Sequence, residues 1–153
     1  MCIRDRILRS LCDHHILERF DSPSVTFSFE HQQFQEFYAA ISLGQQLLEL
    51  AKSDNQNLNR NFAKQYVNGP GWEEPLRMVA EGIEMRSAES HSETDVVKAG
   101  KLLVEMALSV DPIFAAELSR LCGNLVWEQM RTAVGELLRS WYCLLYTSDA
   151  ADE

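Results

Sequence analysis

Apolar positions along the chain change their period repeatedly, and each change marks an element. Ile7, Leu8, Leu11 and Cys12 share one helical face, so residues 7–14 read as the tail of a helix. Ile16 to Phe20 is a short apolar run closed by the turn cluster Asp21-Ser22-Pro23-Ser24. Beyond it Val25, Phe27 and Phe29 alternate with Thr26, Ser28 and Glu30, the period of a half-buried strand rich in β-branched and aromatic side chains. Together these runs predict a β-hairpin packed on helices. From His31 the spacing turns helical, with Phe34, Phe37, Tyr38, Ile41 and Leu48 on one stripe widened by Ala39, Ala40, Leu43 and Leu47. A helix to about Ala51 follows, with Phe34, Phe37, Tyr38 and Ile41 expected in the core.

Lys52 to Asn61 is polar and Asn-rich, the pattern of a connector, and Asn68-Gly69-Pro70-Gly71 is a strong break. Trp72-Glu73-Glu74-Pro75 then opens a helix, with acidic residues and a tolerated proline in its first turn. Leu76, Val79, Ala80 and Ile83 supply its buried face. Val96, Val97, Leu102, Leu103 and Met106 predict a helix over 93–109. Asp111-Pro112 pairs an N-cap with proline at the first helical position, starting a helix to about Leu121. After the break at Gly123-Asn124, Leu125, Val126, Met130, Val134, Leu137, Leu138 and Trp141 mark a last helix. Short connections favour antiparallel neighbours, as in a bundle or a HEAT-like repeat array, although no clean sequence period appears.

Both ends look foreign to this pattern. Met1 to Asp5 can be encoded by ATGTGTATAAGAGAC, and Cys143 to Ser148 by TGTCTCTTATACACATCT. The reverse complement of the first string lies whole within the second. Such a relation is expected of one adapter ligated to both sides of a DNA fragment. It resembles the mosaic end of transposase-based library preparation, read on through Asp149 to Glu153. Residues 1–6 and 143–153 are therefore expected to be translated adapter, and processing scars are set aside in fold reasoning. The expected organisation is then 7–51 as the C-terminal part of one domain, 52–71 as linker and 72–142 as a truncated helical domain.

Setting the ends aside changes the charge balance. Without Arg4, Asp5, Arg6, Asp149, Asp152 and Glu153 the formal charge moves from −9 to −7. Acidity of this kind argues against a nucleic-acid footprint and fits a cytosolic surface. Cys12 and Cys122 remain, without CxxC or zinc spacing, and are expected to be buried thiols. No run is long and apolar enough to cross a bilayer, so no membrane partner is expected.

The stretch Phe27-Ser28-Phe29-Glu30-His31-Gln32-Gln33-Phe34-Gln35-Glu36-Phe37-Tyr38-Ala39-Ala40 resembles a motif of the NACHT family of signal-transduction ATPases, the STAND class. That motif joins an aromatic-rich strand, a histidine and a helix reading roughly Phe-Gln-Glu-aromatic-aromatic-Ala-Ala. Trp72-Glu73-Glu74-Pro75-Leu76 also resembles the helical region that follows in bacterial members, so the likeness spans about residues 7–86. It implies a mainly α fold: a partial winged helix, with the hairpin at 16–30 as its wing, followed by an α-helical region. It implies that His31 contacts the β-phosphate of ADP and holds the winged helix against the ATPase core at rest. ADP or ATP with Mg would belong to the parent protein, with none bound by this piece alone. The implied partners are the missing NACHT core of the same chain and further copies of the parent. The implied setting is the cytoplasm of a bacterium, in signalling or antiphage defence akin to innate immunity.

The residues themselves leave other possibilities open. His31 can be a capping or solvent-facing polar residue. Cys12, His14, His15 and His31 lack the spacing of a zinc site, and first-turn acidity accounts for Glu73 and Glu74. There is no G-x-x-x-x-G-K-[ST] loop, so no ATPase activity is expected of the piece. A helical-repeat scaffold for protein partners is the main alternative. A winged-helix DNA regulator is disfavoured by the acidity, with Arg9 the one basic candidate before the hairpin once the ends are set aside. A winged helix without its first helices would expose apolar surface, so residues 7–142 alone are expected to be poorly soluble.

Overall fold

The computed structural model describes residues 3–53, 55–89 and 95–149. These residues form a mainly α structure with one antiparallel hairpin, as expected. The order is α1 (Ile3–Asp13), β1 (Leu17–Phe20), β2 (Thr26–Phe29), α2 (Gln32–Ser53), α3 (Gln56–Phe62), a π-helical turn (Ala63–Val67), α4 (Glu73–Glu89), α5 (Asp95–Leu108), α6 (Pro112–Leu121) and α7 (Asn124–Asp149). They fall into two compact units, Met1–Ala39 and Ala40–Glu153, with the boundary inside α2. Residues 93 and 94 of the helix expected over 93–109 lie outside the described residues. Both α1 and α7 run into the segments expected to be adapter, because helix formation depends on local propensity and not on a segment's origin.

In the first unit α1 ends in a Schellman motif. The Ile16 amide donates to the Leu11 carbonyl at 2.9 Å and the His15 amide to the Cys12 carbonyl at 3.0 Å. His15 takes the left-handed conformation this requires, with φ 56°. The hairpin pairs Leu17 with Phe29, Glu18 with Ser28, Arg19 with Phe27 and Phe20 with Thr26.

Burial here departs from expectation. Val25 and Phe27 are 54% and 37% exposed, and only Phe29 of the alternating set is half-buried. Phe34, Phe37, Tyr38 and Ile41, expected in the core, are between 36% and 51% exposed. The buried ridge of α2 is instead Ala40, Leu43, Leu47 and Leu50. Two short strands and one helix with no buried residue offer too little surface to cover the aromatic side chains.

The second unit is built around α5, which buries Val97, Ala99, Gly100, Leu103, Val104, Met106 and Ala107. It packs against α4, α6, α7 and the π-helical turn. From α4 come Leu76, Val79, Ala80 and Ile83, the four residues its periodicity selects. Ala115 and Leu118 of α6 and Val126, Met130 and Val134 of α7 complete the core. At Gly100 the helices approach closely: a Cβ there would lie 2.8 Å from Val126 Cγ2 and 3.2 Å from Ile83 Cγ2.

Segment 52–71, expected as a linker, is largely structured. Asn55 caps α3 by accepting from the amides of Asn57 at 3.0 Å and Leu58 at 3.3 Å. Phe62 and Val67 are buried in the core. Tyr66 joins Phe62 and Trp72 in successive edge-to-face contacts, with centroids 5.0 and 4.8 Å apart.

One ion pair ties α4 to α6. Arg77 Nε and Nη2 donate to the two carboxylate oxygens of Glu117 at 2.8 and 3.2 Å, and Nη1 donates to Glu74 at 3.3 Å. The guanidinium also lies 5.5 Å from the centre of the Phe114 ring. The Arg77 hydrogen bonds hold the Glu117 carboxyl below its ordinary pKa against the opposing effect of desolvation.

Gly135→Ala meets open space on α7 and should stabilise by about 0.5–1 kcal/mol through helix propensity. Gly100→Ala should instead destabilise by about 1–3 kcal/mol through overpacking, both read by urea unfolding. Because Glu117 titrates lower when folded, its contribution is complete above the ordinary carboxylate pKa and disappears as pH falls through the folded value. The stability gap between the parent chain and Glu117→Gln should therefore be constant near neutrality and shrink below about pH 4.3. A gap that widens in acid would show that the pair does not set the shift.

Candidate functional site

His31 sits where β2 gives way to α2. Phe29 ends the strand, Glu30 and His31 form the bend, and the helix begins at Gln32. The sequence folds this way because the alternating aromatic run stops at Phe29 and helical spacing starts at Phe34. The His31 carbonyl accepts from the Phe34 amide at 3.1 Å. Its imidazole is exposed and tilted against the Phe34 ring, with centroids 5.9 Å apart.

The electrostatic setting comes from the helix end. The first turn of α2 carries no acidic residue, so the partial positive charge of its leading amides is not offset there by a side chain. Gln32 Nε2 donates to Glu36 Oε1 at 2.6 Å, holding that carboxylate on the helix one turn further on. Glu30, the other residue of the bend, places its carboxylate 3.4 Å from His15 Nδ1. An imidazole N–H next to a helix N-terminus can donate to an anionic oxygen, the arrangement that suits a phosphate.

Aromatic side chains surround this junction. Phe29 stacks on Tyr38 with centroids 5.8 Å apart and an interplanar angle of 25°. Phe37 meets Tyr38 edge-on at 5.5 Å. The residues expected to form an inner stripe thus make a solvent-facing aromatic surface beside His31.

The other candidates do not assemble. Among the described residues no group of three or more His, Cys, Asp and Glu gathers as a metal site. Cys12 is half-buried, while Cys122 is fully buried and its thiol is pushed up to about 12, mainly by burial. That thiol is packing material, not a nucleophile. Glu73 and Glu74 are first-turn residues of α4, as expected. Sequence reasoning missed the Arg77–Glu117 pair: Glu74 and Arg77 are legible at a spacing of three, but Glu117 lies 40 residues beyond Arg77. No described helix is long and apolar enough to cross a membrane.

Amide hydrogen exchange should separate the two units. Protection at Leu103 and Val104 should exceed that in β1 and β2 by a factor on the order of 100 or more, because the strands lack a covered core. Equal protection would mean that the hairpin is as stable as α5.

No protein-family model, characterised protein or solved structure matches this chain, so its functional assignment rests on the residues and their geometry.

Proposed function

We propose that residues 7–142 are a regulatory piece of a nucleotide-switched, NACHT-type signal-transduction ATPase, flanked by translated adapter. In this reading the hairpin and the start of α2 belong to a winged-helix module, and His31 donates a ring N–H to the β-phosphate of ADP in the resting state. The observation that carries it is the position of His31: exposed, at a strand-to-helix junction, beside a helix N-terminus without first-turn acids. The exposed rings of Phe34, Phe37 and Tyr38 would then dock on the missing ATPase core of the same chain. Exchange of ADP for ATP with Mg would weaken the latch by differential contacts in two states. The piece itself performs no catalysis. Its setting would be the bacterial cytoplasm, with self-assembly of the parent in signalling or phage defence.

The test begins with the overlapping genomic sequence, which should continue upstream without adapter and encode a phosphate-binding Gly-rich loop before His31. In the full-length protein, His31→Ala should speed ADP release by about tenfold or more, the size expected for loss of one charge-assisted hydrogen bond. Unchanged ADP release would defeat the role given to His31. An upstream reading frame without the loop would defeat the family assignment and favour a helical-repeat scaffold. The short joints between α5, α6 and α7 and the core they share support that second reading.

A further inference from the structure

A groove of about 460 Å3 opens in the second unit between the turn at 67–70 and the start of α6. Its apolar lining comes from Val67, Pro70, Val110, Ile113 and Phe114. Two of these are far from buried, Val110 at 39% and Ile113 at 66% exposed. Arg77 and Glu117 also line the groove, but the guanidinium is engaged on both carboxylate oxygens of Glu117 and on Glu74.

Two further carboxylates, Glu73 and Asp111, line the same groove, and among the described residues neither has an ion-pair partner. Asp111 uses one oxygen, Oδ1, for both of its capping bonds, to the amides of Ile113 at 2.8 Å and Phe114 at 3.1 Å. The groove is therefore lined by three carboxylates, Glu73, Asp111 and Glu117, to the one guanidinium of Arg77. The N-terminal dipoles of α4 and α6 offset about half a charge each, which leaves the site negative. The formal charge of the whole chain, −9, has the same sign and would draw cations toward it.

We propose that this groove binds a peptide segment of a partner protein in which a lysine or arginine adjoins an aliphatic residue. The basic side chain lays its stem along Val110 and Ile113 and brings its head group to Glu73 and Asp111. The neighbouring aliphatic residue covers Pro70 and Phe114. Apolar walls alone would accept many occupants; the acidic rim selects a cationic one. The inference goes beyond the nucleotide-switch reading and stands whether or not that reading holds.

The probe is fluorescein-labelled Leu-Lys-Leu-Arg-Leu-amide, titrated by anisotropy against the 153-residue chain at 0.15 M salt, with gel filtration to confirm a monodisperse sample. Asp111→Asn keeps a good N-cap while removing the charge, and Glu73→Gln keeps a helix former. The double variant should bind about tenfold more weakly, the size of two partly screened charge contacts. Ile113→Ser should weaken binding as well. Glu81→Gln, which removes the same charge from α4 outside the groove, should change it by no more than about twofold. Circular dichroism melts should match the parent chain; if the double variant melts early, Glu73→Gln alone is read against Glu81→Gln. Equal losses for the Glu73 and Glu81 variants would overturn the proposal in favour of general attraction to an acidic surface. Undiminished binding of a Ser-Lys-Ser-Arg-Ser control, or no saturable binding, would overturn it too.

Discussion

The approach of α5 to its neighbours at Gly100 governs what the second unit can be. With no side chain at that position, Val126 on α7 and Ile83 on α4 come within van der Waals reach of the α5 backbone. Cys122 Sγ lies 3.5 Å from where a Cβ of residue 100 would be, and its buried, protonated thiol completes the packing. The connection that makes this possible is also glycine-dependent. Gly123 turns from α6 to α7 with φ 86°, and Glu84 Cγ lies 2.9 Å from where its Cβ would be. A larger residue at Gly100 would have to displace Val126 or Ile83, and one at Gly123 would be strained by the positive φ and would meet the Glu84 side chain.

The first unit has no comparable joint. Its hairpin is held by backbone pairing, by the Schellman stop at His15 and by Phe29 stacked on Tyr38. A two-stranded hairpin is marginal without a covered apolar face, and α1 has no buried residue. The two units therefore differ in where their order comes from: one is held by its own core, the other by local hydrogen bonds and the Phe29–Tyr38 stack. On the nucleotide-switch proposal this difference is useful, because a latch has to release.

Local signals were the most legible parts of the sequence. Asp111-Pro112 marks the start of α6 because cap and first-turn chemistry reside in adjacent residues, and the buried face of α4 follows from periodicity alone. Asn55 is an equally good cap but sits in an Asn-rich run, so the pattern over α3 is that of a connector. The π-helical turn leaves no periodic trace in five residues. The stripe from Phe34 to Ile41 shows the limit of periodicity: it identifies which residues share a face, not whether anything packs on that face. Glu117 illustrates the same limit for polar groups, since only the fold brings it to Arg77. His31 is legible as a junction residue because the strand period stops at Phe29 and helical spacing starts at Phe34.

Magnitudes constrain how such a junction could work as a switch. Moving a two-state equilibrium from 1:99 to 99:1 takes about 5.5 kcal/mol of differential binding. A hydrogen bond from a charged or polarised donor to a phosphate contributes about 1.5–3 kcal/mol, and an exposed site such as that of His31 belongs at the lower end because solvent screens it. On the nucleotide-switch proposal, one histidine therefore does not hold the resting state by itself. The shortfall of roughly 2.5–4 kcal/mol corresponds to about 100–160 Å2 of apolar surface removed from water. Phe34, Phe37 and Tyr38 are exposed beside His31, and partial burial of three aromatic rings is of that order. If His31 latches anything, the aromatic surface around it must provide most of the grip, and the histidine's part is to make that grip depend on the nucleotide.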